Sequence, residues 1–478
     1  MKQIVLLLPM GLLAFLLSSC GFSDSGIPEQ RPSAESNYYD GSQATRPKKI
    51  CLFFDGTAND HDSQTHIRHI YEMVSSRNNH QILCYYDSGV GAEVNQLSGM
   101  VGGGGFTQNL VQAYTFLSQN YRKGDRIYLF GYSRGARQAH IVSDIILRAG
   151  LPKFQLSLKR KDQNKYDAYS KAIISGYKQR WKTANKEILN PNSAEPKPAS
   201  WLPEGHQKPI VDSLYLWDAV ETFANNSWTM LGRSIKARGA VSYSRHYVYN
   251  YKIHPDIKEC YHAMALDEKR GLYEVIPVIK PKNGSQTKIE NVWFAGTHGD
   301  VGGSYDASEA LAGCSLRWML GKIKKKGLIT IDIKNIGANP LGISVDSRHF
   351  LIPGKALGLI RKDRYRRQQL WGEFWSHYQK DSLANCPPKT FKPKIHRSVI
   401  RRLQAPSVSI LRGKTVVPTG DTKLPYSAKI FKKPENAESI RYQSTCYHKG
   451  DTYVSNSQSN ADVIRFIERK MHIVDDDE

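Results

Sequence analysis

The chain has 478 residues, room for one large domain or two. Its 67 Lys and Arg against 44 Asp and Glu leave a net charge of +23, which suits an anionic partner, but no nucleic-acid-binding motif accompanies the charge. The seven cysteines match no zinc spacing, so no metal site is expected from them.

Lys2 precedes an apolar run from Ile4 to Leu17, followed by Leu17-Ser18-Ser19-Cys20. The run is shorter than the roughly 20 apolar residues a membrane span needs and reads as an export signal. The Leu-Ser-Ser-Cys sequence resembles a bacterial lipobox, which makes residues 1–20 a lipoprotein signal and Cys20 the lipid-bearing first residue of the mature chain; an ordinary signal peptide is the alternative. Gly21, with no Asp after the cysteine, implies outer-membrane rather than inner-membrane sorting in the bacterial envelope. Residues 21–47 are polar and too poor in apolar side chains to fold; as a flexible tether they reach about 30 Å.

From residue 48 strands and helices alternate. Lys49–Phe54 is an apolar strand ending in Asp55-Gly56-Thr57, and a helix is predicted from about His66 to Arg77. Gln81–Tyr86 is a second strand. The Gly-rich loop Gly99–Gly105 has no Gly-Lys-Ser/Thr after it and is not a phosphate-binding loop; a helix follows near Thr107–Tyr121. Ile127–Gly131, Ile210–Trp217 and Asn291–Ala295 are further strands, with a helix near Ala136–Arg148 and another at Ala307–Lys324. Residues 152–209 are charged and then Pro-rich, and read as an insertion carrying a helix near Lys165–Lys186. Buried-type strands separated by amphipathic helices predict an α/β fold, a mostly parallel sheet with helices on both faces, spanning residues 48–328. Periodicity fades past about residue 330, so residues 329–478 are expected to form a basic C-terminal extension. Within it Lys355–Tyr378 interleaves Arg361, Lys362, Arg364, Arg366 and Arg367 with Trp371, Phe374 and Trp375, a pattern suited to anionic headgroups or to a solvated face. Cys51 and Cys84 fall in buried strands, where free cysteine behaves as a small apolar residue.

The polar clusters lie at the carboxyl ends of strands, where open α/β sheets build their sites. One of them is Gly131-Tyr132-Ser133-Arg134-Gly135, a G-x-S-x-G elbow between a strand and a helix, which marks Ser133 as a nucleophile. A serine needs a base, and the base needs a carboxylate to hold its tautomer. His298 follows an apolar strand in a Gly-rich loop, and Asp218 ends a buried strand; Ser133, Asp218 and His298 keep the Ser…Asp…His order of α/β-hydrolases. The oxyanion donors are expected to be the backbone N–H of Arg134 and that of Gly56 or Thr57.

Phe54-Asp55-Gly56-Thr57, Tyr86-Asp87-Ser88-Gly89-Val90-Gly91, the elbow, Leu216-Trp217-Asp218-Ala219-Val220, His262-Ala263 with Leu266-Asp267-Glu268, and Trp293 through Gly303 recur in an order that resembles the catalytic domain of the type VI secretion phospholipase effectors (the first lipase-effector family) and its α/β-hydrolase relatives, over about residues 48–320. The resemblance implies Ser133 as nucleophile, Asp218 as triad acid and His298 as base. Ala219 and Gly299 stand where that family more often carries Thr and Ser. The expected activity is hydrolysis of lipid acyl esters, phospholipase-like, with no cofactor, at an anionic phospholipid surface; no protein partner is indicated. Two alternatives stay open. Asp55, Asp60, His61, Asp62, His298 and Asp300 could serve a metal-dependent phosphoesterase, and the chain could be a non-catalytic envelope lipoprotein that binds glycan or scaffolds a complex. Of the cysteines beyond Cys20, Cys386 with Cys446 is the least improbable disulfide.

Overall fold

A computed structural model describes residues 47–56, 64–76, 81–89, 104–153, 163–188, 202–220, 253–268, 270, 273, 275–278, 285–347, 392–412, 415–418 and 459–476. Its centre is an eight-stranded sheet. The strands are β1 (Lys49–Phe54), β2 (Ile82–Asp87), β3 (Arg126–Tyr132), β4 (Ile210–Trp217), β5 (Glu259–Ala265), β6 (Lys288–Phe294), β7 (Lys394–His396) and β8 (His472–Val474). Their order is β8-β7-β6-β5-β4-β3-β1-β2, and every neighbouring pair is parallel. The α/β-hydrolase-type fold expected from the sequence is thus present.

The strands alternate between two buried faces, because successive side chains of a strand point in opposite directions. Ile50, Leu52 and Phe54 of β1 join one core with α2 (Gly104–Asn120), α3 (Arg134–Ala149) and α4 (Gln163–Ile188). Cys51 and Phe53 join the other with α1 (His66–Ser75) and α6 (Glu309–Lys325). Burial on both faces explains why β1 and β3 read as unbroken apolar runs rather than as alternating ones. Cys51 and Cys84 sit side by side in the β1–β2 register, and with Cys260 and Cys314 they are buried free thiols.

Two features lie beyond what periodicity showed. Leu151–Pro152 pairs antiparallel with His206–Gln207, so the predicted insertion leaves and returns through a clip at its base. Strands β7 and β8 come from beyond residue 328 and extend the same sheet past β6. The sheet therefore does not end where the predicted catalytic segment does. Helices α7 (Arg397–Gln404) and α8 (Asn460–Lys470) cover that end, burying Val399, Leu403, Val463 and Phe466 against Met264 and Trp293. Just beyond β8, Asp475 pairs with Arg397, and Asp476 accepts from His396 Nε2 at 3.1 Å. A short α5 (His298–Gly302) lies between β6 and α6.

The chain passes from β1 to β2 on one side and then crosses to β3 on the other. The crevice at the carboxyl ends of β1 and β3 is the switch point where such sheets place their sites. Cys20, residues 21–46 of the tether, Thr57, residues 60–62, the loop through Gly103, the Lys355–Tyr378 segment, Cys386 and Cys446 lie outside the described residues. Among the described residues no helix is long and apolar enough to cross a membrane.

Candidate active site

Strand β3 ends at Tyr132, and the next residue turns the chain. Ser133 has φ 59° and ψ −126°, a conformation that non-glycine residues rarely adopt. The turn survives because the residues two positions to either side of Ser133, Gly131 and Gly135, have no side chains. A Cβ on Gly131 would lie 2.5 Å from the Ala136 Cα, and one on Gly135 would lie 2.2 Å from the Phe54 carbonyl oxygen. Helix α3 thereby presses its first turn onto the end of β1. Backbone bonds to β4 and the residues after it fix the turn: Ser133 N–H donates to the Trp217 oxygen at 2.9 Å, and Val220 N–H to the Ser133 oxygen at 3.3 Å.

Asp218 follows β4 and also has positive φ, 36°. Its own N–H donates to the Ala263 oxygen at 2.7 Å. Its Oδ1 accepts from Ala265 N–H at 2.8 Å, and its Oδ2 accepts from His298 Nδ1 at 2.7 Å. The other imidazole nitrogen, Nε2, stands 2.9 Å from Ser133 Oγ. All three side chains are buried. A carboxylate can only accept, so the His298 proton belongs on Nδ1 and the Nε2 lone pair faces the serine hydroxyl. Ser133, Asp218 and His298, singled out from the sequence across 165 residues of separation, form one hydrogen-bonded line.

His298 opens α5. Thr297 N–H donates to Asp300 Oδ2 at 2.8 Å, and Val345 N–H donates to the same carboxylate, so Asp300 ties the helix start to the chain beyond α6. Burial pushes Asp300 up to about 6 against these donors. The backbone N–H of His298 donates to Glu268 Oε2 at 3.2 Å. Glu268 in turn receives two guanidinium bonds of 3.0 Å from Arg270, and Ser347 Oγ donates to it as well. Burial alone would raise Glu268, but the Arg270 charge and hydrogen bonds outweigh it and hold the carboxyl at about 2. The His298 ring stacks on Tyr132 and meets Tyr273 at an angle of 63°, both with centroids 4.8 Å away. Burial, aided by the Arg270 charge, lowers the His298 pKa below its ordinary value, although the Asp218 bond pulls upward. The imidazole is therefore neutral at neutral pH, the state a base requires.

Of the expected oxyanion donors, Arg134 is the first residue of α3, directly after Ser133. Gly56 lies at the end of β1, where its N–H donates to Asp55 Oδ1 at 2.6 Å. Asp55 also accepts from Thr65 Oγ1 at 2.6 Å and Tyr86 OH at 2.8 Å, and burial pushes it up to about 6. Asp55 and Asp300 are each engaged by protein donors. Among the described residues no group of three or more His, Cys, Asp or Glu is placed to hold a metal ion. Sequence reasoning named the three central residues but not Glu268, Arg270, Tyr273 or Asp300 in supporting places. The His262-Ala263 and Asp267-Glu268 stretch was visible as a motif, without any sign of what it touches.

A strained serine at a strand-to-helix turn, a histidine and an aspartate in hydrogen-bonded line, and a parallel sheet beneath them define a protein of the α/β-hydrolase class. More particularly, residues 48–322 match the catalytic domain of the type VI secretion system phospholipase effectors of the Tle1-like kind, and the chain belongs to that family. A curated relative, an uncharacterized protein of Saccharomyces cerevisiae (YEL023C), is 30% identical over 128 residues, which is 23% of this chain and 19% of the yeast protein. Among solved structures, an uncharacterized protein from Pseudomonas aeruginosa is 15% identical with TM-score 0.36, over 62% of this chain and 49% of that one. The Tle1 effector bound to the VgrG spike is 17% identical with TM-score 0.27, over 55% of this chain and 52% of that one. A thermophilic esterase of Thermogutta terrifontis is 12% identical with TM-score 0.30, over 60% of this chain and 86% of that one. The chain thus spans about half the length of the first two of these structures and a fifth of the yeast protein.

Proposed function

We propose that the protein is a serine ester hydrolase of phospholipase type, acting on lipid acyl esters through Ser133, His298 and Asp218. The observation that carries this reading is the unbroken line from Ser133 Oγ through the His298 imidazole to Asp218 Oδ2, with spacings of 2.9 and 2.7 Å. In the reaction Ser133 Oγ attacks the acyl carbonyl carbon while His298 Nε2 takes the hydroxyl proton. The imidazolium is held by Asp218, and its proton then passes to the departing alkoxide, leaving an acyl ester on Ser133. Water, deprotonated by the same Nε2, releases the fatty acid and restores the serine. The oxyanion is assigned to the N–H of Arg134 and that of Gly56 or Thr57; for Gly56 to serve, its N–H must turn away from Asp55 Oδ1.

The place of action follows from the leader and the charge. Cys20 as a lipid-bearing residue anchors the protein at the bacterial envelope, on the outer membrane, and residues 21–47 let the folded body turn toward anionic phospholipid. The test is a fluorophosphonate probe together with a phospholipid and acyl-ester hydrolysis screen, on the purified protein and on Ser133→Ala. Labelling and hydrolysis that both vanish in the variant support the reading. Unlabelled protein whose activity disappears with chelator and returns with a divalent cation would replace it by a metal-dependent phosphoesterase. A protein silent in both assays would leave the non-catalytic lipoprotein.

A further inference from the structure

We propose that His262 is a positioning residue for the acid of the triad, acting through the backbone of Ala219 to hold Asp218 in register with His298. The inference rests on the triad reading above and deepens it. His262 lies on β5, paired with Leu216 of β4 on one side and Asn291 of β6 on the other. It is fully buried. Its Nε2 is 3.0 Å from the backbone nitrogen of Ala219, the residue after Asp218. A backbone N–H can only donate, so Nε2 must be the bare nitrogen, with the ring proton on Nδ1. Burial pushes the His262 pKa down to about 4, against the pull of Asp218 and Asn291, so the ring remains an acceptor at neutral pH.

The geometry explains why an acceptor is needed there. Asp218 has φ 36°, a strained conformation that persists only when its surroundings over-determine it. Strand β5 supplies three restraints in sequence. The Ala263 oxygen takes the Asp218 N–H at 2.7 Å, His262 Nε2 takes the Ala219 N–H, and Ala265 N–H holds Asp218 Oδ1 at 2.8 Å. Two of these are backbone groups that any sequence would provide. The middle one requires a side chain that reaches from β5 to the Ala219 N–H and offers a lone pair at its tip. With that acceptor gone, a buried N–H is left unpaired, and the turn relaxes toward ordinary φ, carrying the carboxylate away from His298 Nδ1.

The experiment compares His262→Leu, His262→Asn and His262→Gln in the full chain, each alone and on Asp218→Ala, with turnover of a short soluble ester. Gln places an amide oxygen where Nε2 stands, whereas Asn ends near the Nδ1 position and Leu offers no acceptor. Misplacement of a reacting group by about 1 Å costs about 10²-fold in rate. The expected result is a loss of that size in kcat for Leu and Asn, KM nearly unchanged, and recovery of most of it in Gln. On Asp218→Ala, none of the His262 variants should lower kcat further, since the group they position is gone. Wild-type kcat in the Asn variant, Gln as impaired as Asn, or a full second loss on Asp218→Ala would each overturn the proposal. The Asn–Gln contrast decides the matter even if the Leu variant does not fold. Full activity of Asp218→Ala itself would instead refute the triad reading, whatever His262 does.

Discussion

Asp218→Asn is the substitution whose consequence can be worked out furthest. The carboxylate has two occupied oxygens: Oδ1 receives Ala265 N–H at 2.8 Å, and Oδ2 receives His298 Nδ1 at 2.7 Å. An asparagine amide offers one oxygen and one NH₂ group. The Ala265 backbone can only donate, so it takes the amide oxygen, and the NH₂ turns to His298 Nδ1. That nitrogen must then accept, and the ring proton moves to Nε2, which faces Ser133 Oγ at 2.9 Å. The base is trapped in the tautomer that cannot take the serine proton. A wrong tautomer in an otherwise intact triad lowers kcat by about 10⁴, or about 5.5 kcal/mol of transition-state stabilisation. The fold should be unharmed because the replacement is isosteric. The assay is steady-state hydrolysis of a short-chain ester at pH 7 to 8, with circular dichroism on the same preparation. A kcat within tenfold of wild type, in a variant that melts normally, would show that the Asp218–His298 bond does not set the tautomer and that the mechanism is wrong.

Three other outcomes follow, two from the same structure and one from the leader sequence. Because burial and Arg270 lower the His298 pKa, and because only the neutral ring can act as base, the acid limb of kcat/KM should have its midpoint below the ordinary histidine value of about 6.5. Activity is full above that midpoint and is lost as pH falls through it; Glu268→Gln, which removes a negative charge near the ring, should move it lower still, and a midpoint above 6.5 in the wild type would contradict the argument. Gly135→Ala puts a methyl group 2.2 Å from the Phe54 oxygen, a backbone atom that cannot swing aside, so urea unfolding should show a loss of about 3 kcal/mol or more, against none if the first turn of α3 can retreat. If Cys20 carries the proposed lipid, Cys20→Ala should move the protein from the membrane to the soluble fraction, since the acyl chains would supply the affinity; unchanged membrane retention with no lipid mass on the N-terminal peptide would exclude the anchor.

Much of the site was legible because its signals are local. The elbow is a run of five residues between an apolar strand and a helix, so Gly131-Tyr132-Ser133-Arg134-Gly135 declares itself as a pattern, although only the Gly131 clash is local and the Gly135 clash is with the end of β1. Asp218 directly follows one apolar strand, His298 stands in the Gly-rich stretch just after another, and their order along the chain matched them to Ser133. The two-faced burial of β1 and β3 wrote itself into continuous apolar runs, and the helix inside the insertion was visible from its own periodicity.

The remainder was decided only by tertiary structure. Strands β7 and β8 have three residues each, too short for any period to register, and they are strands only because the open edge of β6 accepts β7 and β7 accepts β8. The positive φ of Asp218 arises from restraints supplied by β5, more than 40 residues further along the chain. Whether the Gly56 N–H faces substrate or Asp55 depends on where Thr65 and Tyr86 stand, and the hold of Glu268 on His298 depends on Arg270 and Ser347. A sequence records which groups can donate or accept and where the chain turns. Which donor meets which acceptor across a sheet is a matter of register between distant strands, and that is set by packing the whole core at once.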